Sequence, residues 1–232
     1  SLSDCPDNAS EKVVKIFLDD SINKTCEHLR TDNIDCLMLH RASHLRDWDG
    51  AVIKRLLAHQ ADGILKLLGV SVQTPEELEY ALDYDEISLI QMPYNILDTR
   101  WDHLIPLIEL EKTRRKLTIH TRSPLLQGLL LSTKNELWRR ANCENHNEVI
   151  NWLHYSVKRL GRATLLDLCL SFVYSCRWID GVVVGMETNA QLSENIKMFR
   201  NPAMTPEQIS LIMDERPILE NIVLNPSLWS AR

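Results

Sequence analysis

At 232 residues, with 44% hydrophobic and 25% charged side chains, the chain is long enough to bury one sizeable core. A formal charge of −6 and the lack of any Lys/Arg block argue against nucleic acid or an anionic membrane surface as the main partner. No apolar run approaches the roughly 18 residues of a membrane span, and the N-terminal Ser1-Leu-Ser-Asp-Cys-Pro6 lacks the basic and apolar regions of a signal peptide, so a soluble protein is expected.

In chain order, a turn-like stretch over 4–8 precedes a helix in which Val14, Leu18, Ile22, Cys26 and Leu29 recur at helical spacing. The run Ile34-Asp-Cys-Leu-Met-Leu-His40 follows, apolar without strict alternation, as suits a strand covered on both faces of a parallel sheet. Val52, Leu56 and Leu57 mark the next helix, with Gly63 where it should stop. Leu67 to Val72 is a second strand, followed by Thr74-Pro-Glu-Glu77, a capping threonine with proline at the first helical position. Ile87 to Tyr94 and Leu117 to Ser123 are the third and fourth strands. Val149, Trp152, Leu153, Val157 and Leu160 form another helical face, ending near Gly161. A fifth strand, Gly181 to Met186, enters a helix from Ala190 to Phe199, and Thr205-Pro-Glu-Gln208 starts one more.

Strands alternating with helices imply right-handed crossovers and a parallel sheet within one domain, 1–232, with a C-terminal tail at 217–232. The cysteines at 5, 26, 36, 143, 169 and 176 include no CxxC, and four lie in expected strands or helices, which points to reduced thiols and a cytoplasmic location.

The C-terminal ends of strands are where α/β proteins place their chemistry. His40, Ser71, Arg122 with Ser123, and the Gly185 loop fall at such ends, and the amide of Gln91 interrupts an apolar strand, where it must find a partner. The scattered His103, His120, His146 and His154 offer no metal-binding spacing.

These strings, together with Ile90-Gln-Met-Pro-Tyr-Asn95, Thr121-Arg-Ser-Pro-Leu-Leu-Gln-Gly-Leu129 and Gly185-Met-Glu-Thr-Asn-Ala-Gln-Leu-Ser-Glu-Asn195, resemble the aldo-keto reductases from about residue 10 to residue 215. The resemblance implies a (β/α)8 TIM barrel of aldo-keto reductase type, of which about five βα units are present. It also implies hydride transfer between NADPH or NADH and the carbonyl of an aldehyde, ketone or sugar.

By the same resemblance, His40 is the catalytic-tetrad histidine that polarises the substrate carbonyl. Ser71 and Gln91 hold the nicotinamide carboxamide, and Arg122 takes the place of a ring stacked on the nicotinamide. Ser123, Leu125 and Gly128 pass the pyrophosphate, while Gly185, Thr188, Gln191 and Asn195 grip the adenosine half. Val72 stands where many members have asparagine. Uncharged Gly185 and Gln191, with Glu187 nearby, tilt the expectation toward NADH.

The tetrad's Asp, Tyr and Lys belong to strands upstream of the match, and nothing here corresponds to them. Tyr94 and Tyr155 are the tyrosines that could stand in, but neither has a matching lysine and aspartate. The chain as given is therefore expected to be inactive, a part of a protein longer by about 70 to 90 residues on the scale of a complete barrel of about 250. A non-catalytic nucleotide-binding or regulatory subunit is the alternative. Substrate choice is expected to lie in the loop Arg41 to Trp48 and the tail segment Asn221 to Arg232, with Trp48 and Trp229 as candidate pocket walls.

Overall fold

The computed structural model describes Cys5 and residues 9–229. The turn expected over 4–8 therefore lies, Cys5 apart, outside the described residues, as do the last three residues of the tail. The chain divides into two compact units, one built from Ser1–Met92 and Leu107–Thr118, the other from Pro93–Pro106 and Ile119–Arg232.

The first unit is a three-stranded parallel sheet with helices on one face. Helix α1 (Glu11–Leu29) buries Val14, Leu18 and Ile22, the stripe expected from their spacing. Burying each such side chain contributes about 1.5 to 3 kcal/mol. Its partner α2 (Ala51–Ala61) buries Val52, Ile53 and Leu56 and ends ahead of Gly63, whose φ of 77° no side chain adopts easily. Asp19 of α1 ties the pair together. It takes two hydrogen bonds from Arg55, at 2.7 and 2.8 Å, and a third at 2.7 Å from Nε2 of His59. These bonds, Arg55 first, hold the Asp19 carboxyl below the usual range.

The strands are β1 (Ile34–Leu39), β2 (Leu65–Ser71) and β3 (Ile87–Pro93), paired in that order and all parallel. Each lies within two residues of the expected bounds. Leu39 pairs with Val70 and Val70 with Ile90, so these three share the helix-covered face and are buried. The opposite face carries Cys36, Met38, Leu67, Gly69, Leu89, Ser71 and Gln91, and there Met38 and Leu67 are exposed. Gly69 is where two strands approach closely: a Cβ there would lie 2.9 Å from the carbonyl oxygen of Leu89. Helix α3 (Pro75–Leu82) starts as its sequence predicts, with Thr74 Oγ1 accepting from the Glu77 N–H. Most of helix α4 (Ile105–Arg114) completes the unit.

In the second unit β4 (Thr118–Arg122) pairs parallel with β5 (Gly181–Val183). Asp180 fixes the start of that pairing, for its carboxylate accepts from the Ile119 N–H at 2.7 Å and its own N–H donates to the Ile119 carbonyl. Strand β5 stops three residues short of the expected Met186, because the chain there turns into the cap of a helix. Helices α5 (Asn135–Arg140), α6 (His146–Arg159), α7 (Leu165–Ser175), α8 (Asn189–Met198), α9 (Pro206–Glu215) and α10 (Asn221–Leu224) make up the rest. Both α8 and α9 open on complete capping boxes, Thr188 with Gln191 and Thr205 with Gln208. Among the described residues no helix is long and apolar enough to cross a membrane.

Candidate functional site

The first unit brings three of the candidate residues to one rim. Ser71 and Gln91 are register partners on β2 and β3, so their side chains leave the same face of the sheet, and both are half-buried. Neighbouring strands lie about 4.8 Å apart, which lets one ligand group reach both. The Val72 N–H donates to the Gln91 carbonyl at 2.9 Å, extending the ladder one step past Ser71. His40 follows directly on β1 and is exposed. Among the described residues its imidazole has no hydrogen-bond partner, unlike a histidine fastened to the rim for structure.

The loop after β1 is tightly built. The Arg46 guanidinium lies 3.2 Å from the centre of the Tyr80 ring, Tyr80 and Tyr84 share a hydrogen bond of 2.8 Å, and Tyr84 donates to the Leu45 carbonyl. Trp48, Asp49 and Gly50 all have left-handed backbones, with φ of 53°, 54° and 72°. For the two non-glycine residues this costs about 1 to 2 kcal/mol each. The Trp48 ring is 6.0 Å from His44, which is buried and for that reason holds its proton less readily than usual.

The second unit carries the other candidates, at a strand end, on a tight curl and around the start of a helix. Arg122 ends β4, and its carbonyl accepts from the Tyr94 N–H at 3.0 Å. Ser123, Leu126, Gln127 and Gly128 follow with φ of 61°, 45°, 53° and 82°. Four left-handed residues in six fold the chain into a tight curl around Leu125, and a Cβ at Gly128 or Gly185 would meet nothing within 4 Å. Both glycines thus leave the backbone open to an approaching group.

Thr188 and Gln191 spend polar atoms on the helix itself. Thr188 Oγ1 accepts from the Gln191 N–H at 3.2 Å, and Gln191 Oε1 accepts from Glu187 at 2.6 Å and Thr188 at 3.2 Å. Asn195 is buried one turn on. Its neighbour Glu194, which the sequence reading passes over, lines a cleft of about 450 Å³ with His154, Leu131, Val157, Leu165 and Leu166. Only its place on the face of α8 marks that residue, and spacing alone does not separate it from an ordinary solvated acid.

The tyrosines are placed elsewhere. Tyr94 is fully buried between Phe172 at 5.8 Å and Trp178 at 4.9 Å, and burial holds its phenol well above the usual range. Tyr155 is exposed on α6 beside Arg159, Tyr80 and Tyr84 hold each other, and Tyr174 donates to the Asn201 carbonyl. Trp229 donates to the Val223 carbonyl within its own tail.

A second feature absent from the sequence reading is the turn after β3. The Asp98 carboxylate, with no exposed surface, receives Nε and Nη2 of Arg100 at 2.8 and 2.7 Å and the Trp101 indole N–H at 3.1 Å. The spacing Asp98-Thr-Arg100-Trp101 is the only trace of it in the sequence.

Residues 5–215 match the family described as Aldo/keto reductase family. Among curated proteins, the uncharacterized oxidoreductase YqkF of Bacillus subtilis (strain 168) is 22% identical over 209 residues, 85% of this chain. The chain spans 65% of that relative's own length. Among solved structures, aldo-keto reductase AKR11C1 from Bacillus halodurans (holo form) superposes with a TM-score of 0.71 at 20% identity, over 92% of this chain and 71% of that one. The glycerol dehydrogenase AKR11B4 from Gluconobacter oxydans gives 0.67 at 18%, over 91% and 66%. These likenesses fix the fold, five parallel strands with their helices forming part of a (β/α)8 barrel. Strand ends in the expected order, that fold, and a family match over most of its length make this chain a member of the aldo/keto reductase family.

Proposed function

We propose that the chain binds NADH or NADPH as the greater part of a carbonyl reductase, and that the cofactor, when bound, supplies hydride to an aldehyde, ketone or sugar carbonyl. The observation that carries this reading is the register of Ser71 on Gln91 beside the end of β1. A nicotinamide carboxamide presents one carbonyl and one amino group. A serine hydroxyl and a glutamine amide on adjacent strands offer a matching set of donors and acceptors. His40 donates to the substrate oxygen and polarises the carbonyl.

In the second unit, the missing side chain at Gly128 leaves room for a pyrophosphate to pass close to the backbone, and the cleft beside Glu194 suits the apolar faces of a base. Gly185 and Gln191 give a 2′-phosphate no cation, and Glu187 opposes it, which favours NADH.

Hydride transfer builds negative charge on the carbonyl oxygen and needs a proton donor in reach. Every tyrosine of this chain is buried, bonded elsewhere or on a helix surface, so the 232-residue chain holds its cofactor without turning over carbonyls. That same placement favours a second reading, a nucleotide-binding or regulatory module. Thiols without a disulfide among the described residues suit a reducing, cytoplasmic setting for either.

The test is to follow cofactor oxidation by the purified chain with a panel of aldehydes, beside direct binding of NADH and NADPH. Saturable binding with turnover at background is expected. Rates in the ordinary range of about 1 to 1000 per second would overturn the inactivity, and failure to bind either cofactor would overturn the nicotinamide reading. Carbonyl-dependent oxidation by the protein isolated from its source would separate the reductase from the regulatory module.

A further inference from the structure

We infer that the second unit holds a separate binding site, a cleft of about 500 Å³ that takes an amphipathic organic cation, an amine carried on an aliphatic body. Two segments wall it, 142–145 between α5 and α6, and 218–223 leading into α10. None of its lining residues belongs to the strand ends, the curl or the cap already described. Its size is within the range of about 300 to 1000 Å³ typical of small-molecule sites.

The lining is divided by chemistry. Leu219 and Val223 are buried, Ile222 is half-buried, and Ile218 stands at the cleft 82% exposed, an apolar side chain left in water. The same lining holds the amides of Asn142 and Asn145 and the carboxylates of Glu144 and Glu220, the two acids both exposed and, among the described residues, without an ion-pair partner. No lysine, arginine or histidine lines the cleft. An aliphatic wall edged by two unneutralised carboxylates attracts a positive head with an apolar body and repels the corresponding anion.

The wall is set before any ligand arrives. His146 is buried, and its Nδ1 lies 3.1 Å from the Cys143 carbonyl, which can only accept, so Nδ1 carries the proton. The Cys143 thiol donates in turn to Asn145 Oδ1 at 3.5 Å. These bonds hold the 142–145 turn in shape, which lowers the ordering cost of binding.

Calorimetric titration of the intact chain with octylamine, octanol and octanoate tests the assignment. Octylamine is expected to bind saturably, about tenfold or more tighter than octanol, with octanoate weakest. The double variant Glu144→Gln/Glu220→Gln, at exposed positions and checked for an unchanged melting temperature, is expected to bring octylamine down to octanol. Ile218→Asp is expected to weaken octanol. Equal affinity for amine and alcohol, an octylamine affinity untouched by the double variant, or no saturable binding would each overturn the proposal.

Discussion

The two units present their candidate residues by different means. In the first, Ser71, Gln91 and His40 stand on or just after paired strands, Ser71 and Gln91 past a register shift at Leu68 and Gly69, and the pleat and the register dictate which face each side chain leaves. In the second, Arg122 ends β4 but most candidates lie on a left-handed curl or a capping box, where strain and local hydrogen bonds decide the backbone. The lesson is about tolerance. A register position keeps its direction as long as the sheet pairs, whereas the curl is closed by its own short-range backbone bonds, Leu126 to Ser123 and Gly128 to Leu125, against left-handed strain.

That contrast can be broken most forcefully at the turn after β3. Arg100→Ala leaves the Asp98 carboxylate buried and unpaired, and should lower the unfolding free energy by about 3 to 5 kcal/mol in a urea titration. Gly69→Ala comes next. Its Cβ would press on backbone, the Leu89 carbonyl, which cannot move without shifting β3, so a loss of about 1 to 3 kcal/mol is expected. Gly181→Ala is the matching change in the second unit. There the obstacle is the His120 ring at 2.8 Å, a side chain able to rotate away, and a loss below about 1 kcal/mol is expected. Equal losses at the two glycines would show that the two strand pairs do not differ in rigidity at these points.

Smaller effects sharpen the comparison. Gln127→Gly removes a side chain from a left-handed position and should raise stability by about 0.5 to 1 kcal/mol, the strain relieved exceeding the entropy added to the unfolded chain. The smallest change concerns acid. Burial alone would raise the Asp167 carboxyl, but bonds from Asn201, the Ala163 N–H and Ser171, with the charge of Arg162, hold it below the usual range. Its stabilisation is complete above the unfolded value of about 3.9 and is lost as pH falls through the lower folded value. Asp167→Asn should therefore flatten the acid limb of the stability curve and leave its neutral slope unchanged.

How much of this was legible beforehand follows from the same contrast. The strands at Ile34, Leu65 and Ile87 and the caps at Thr74 and Thr205 announce themselves through runs and spacings that have one physical reading, whereas the capping box at Thr188 is seen only in the structure. Helix α7 did not, because Leu168, Cys169, Leu170, Phe172 and Val173 are all fully buried, and a helix apolar on every side has no periodicity to detect. The curl at Ser123 to Gly128 was equally hidden, since only Gly128 signals a left-handed residue and its three companions are ordinary side chains forced into that region. Glu194 and the Asp98 turn depend on which surfaces enclose them, a property of packing that spacing does not encode.

The most direct test of the central claim measures the two halves of the cofactor separately, by titrating wild type and Ser71→Ala/Gln91→Ala with NADH and with ADP-ribose. Two lost hydrogen bonds of about 0.5 to 1.5 kcal/mol each should weaken NADH by roughly 5- to 150-fold and leave ADP-ribose unchanged. Unchanged NADH affinity, or an equal fall for both ligands, would contradict the assignment of Ser71 and Gln91 to the nicotinamide.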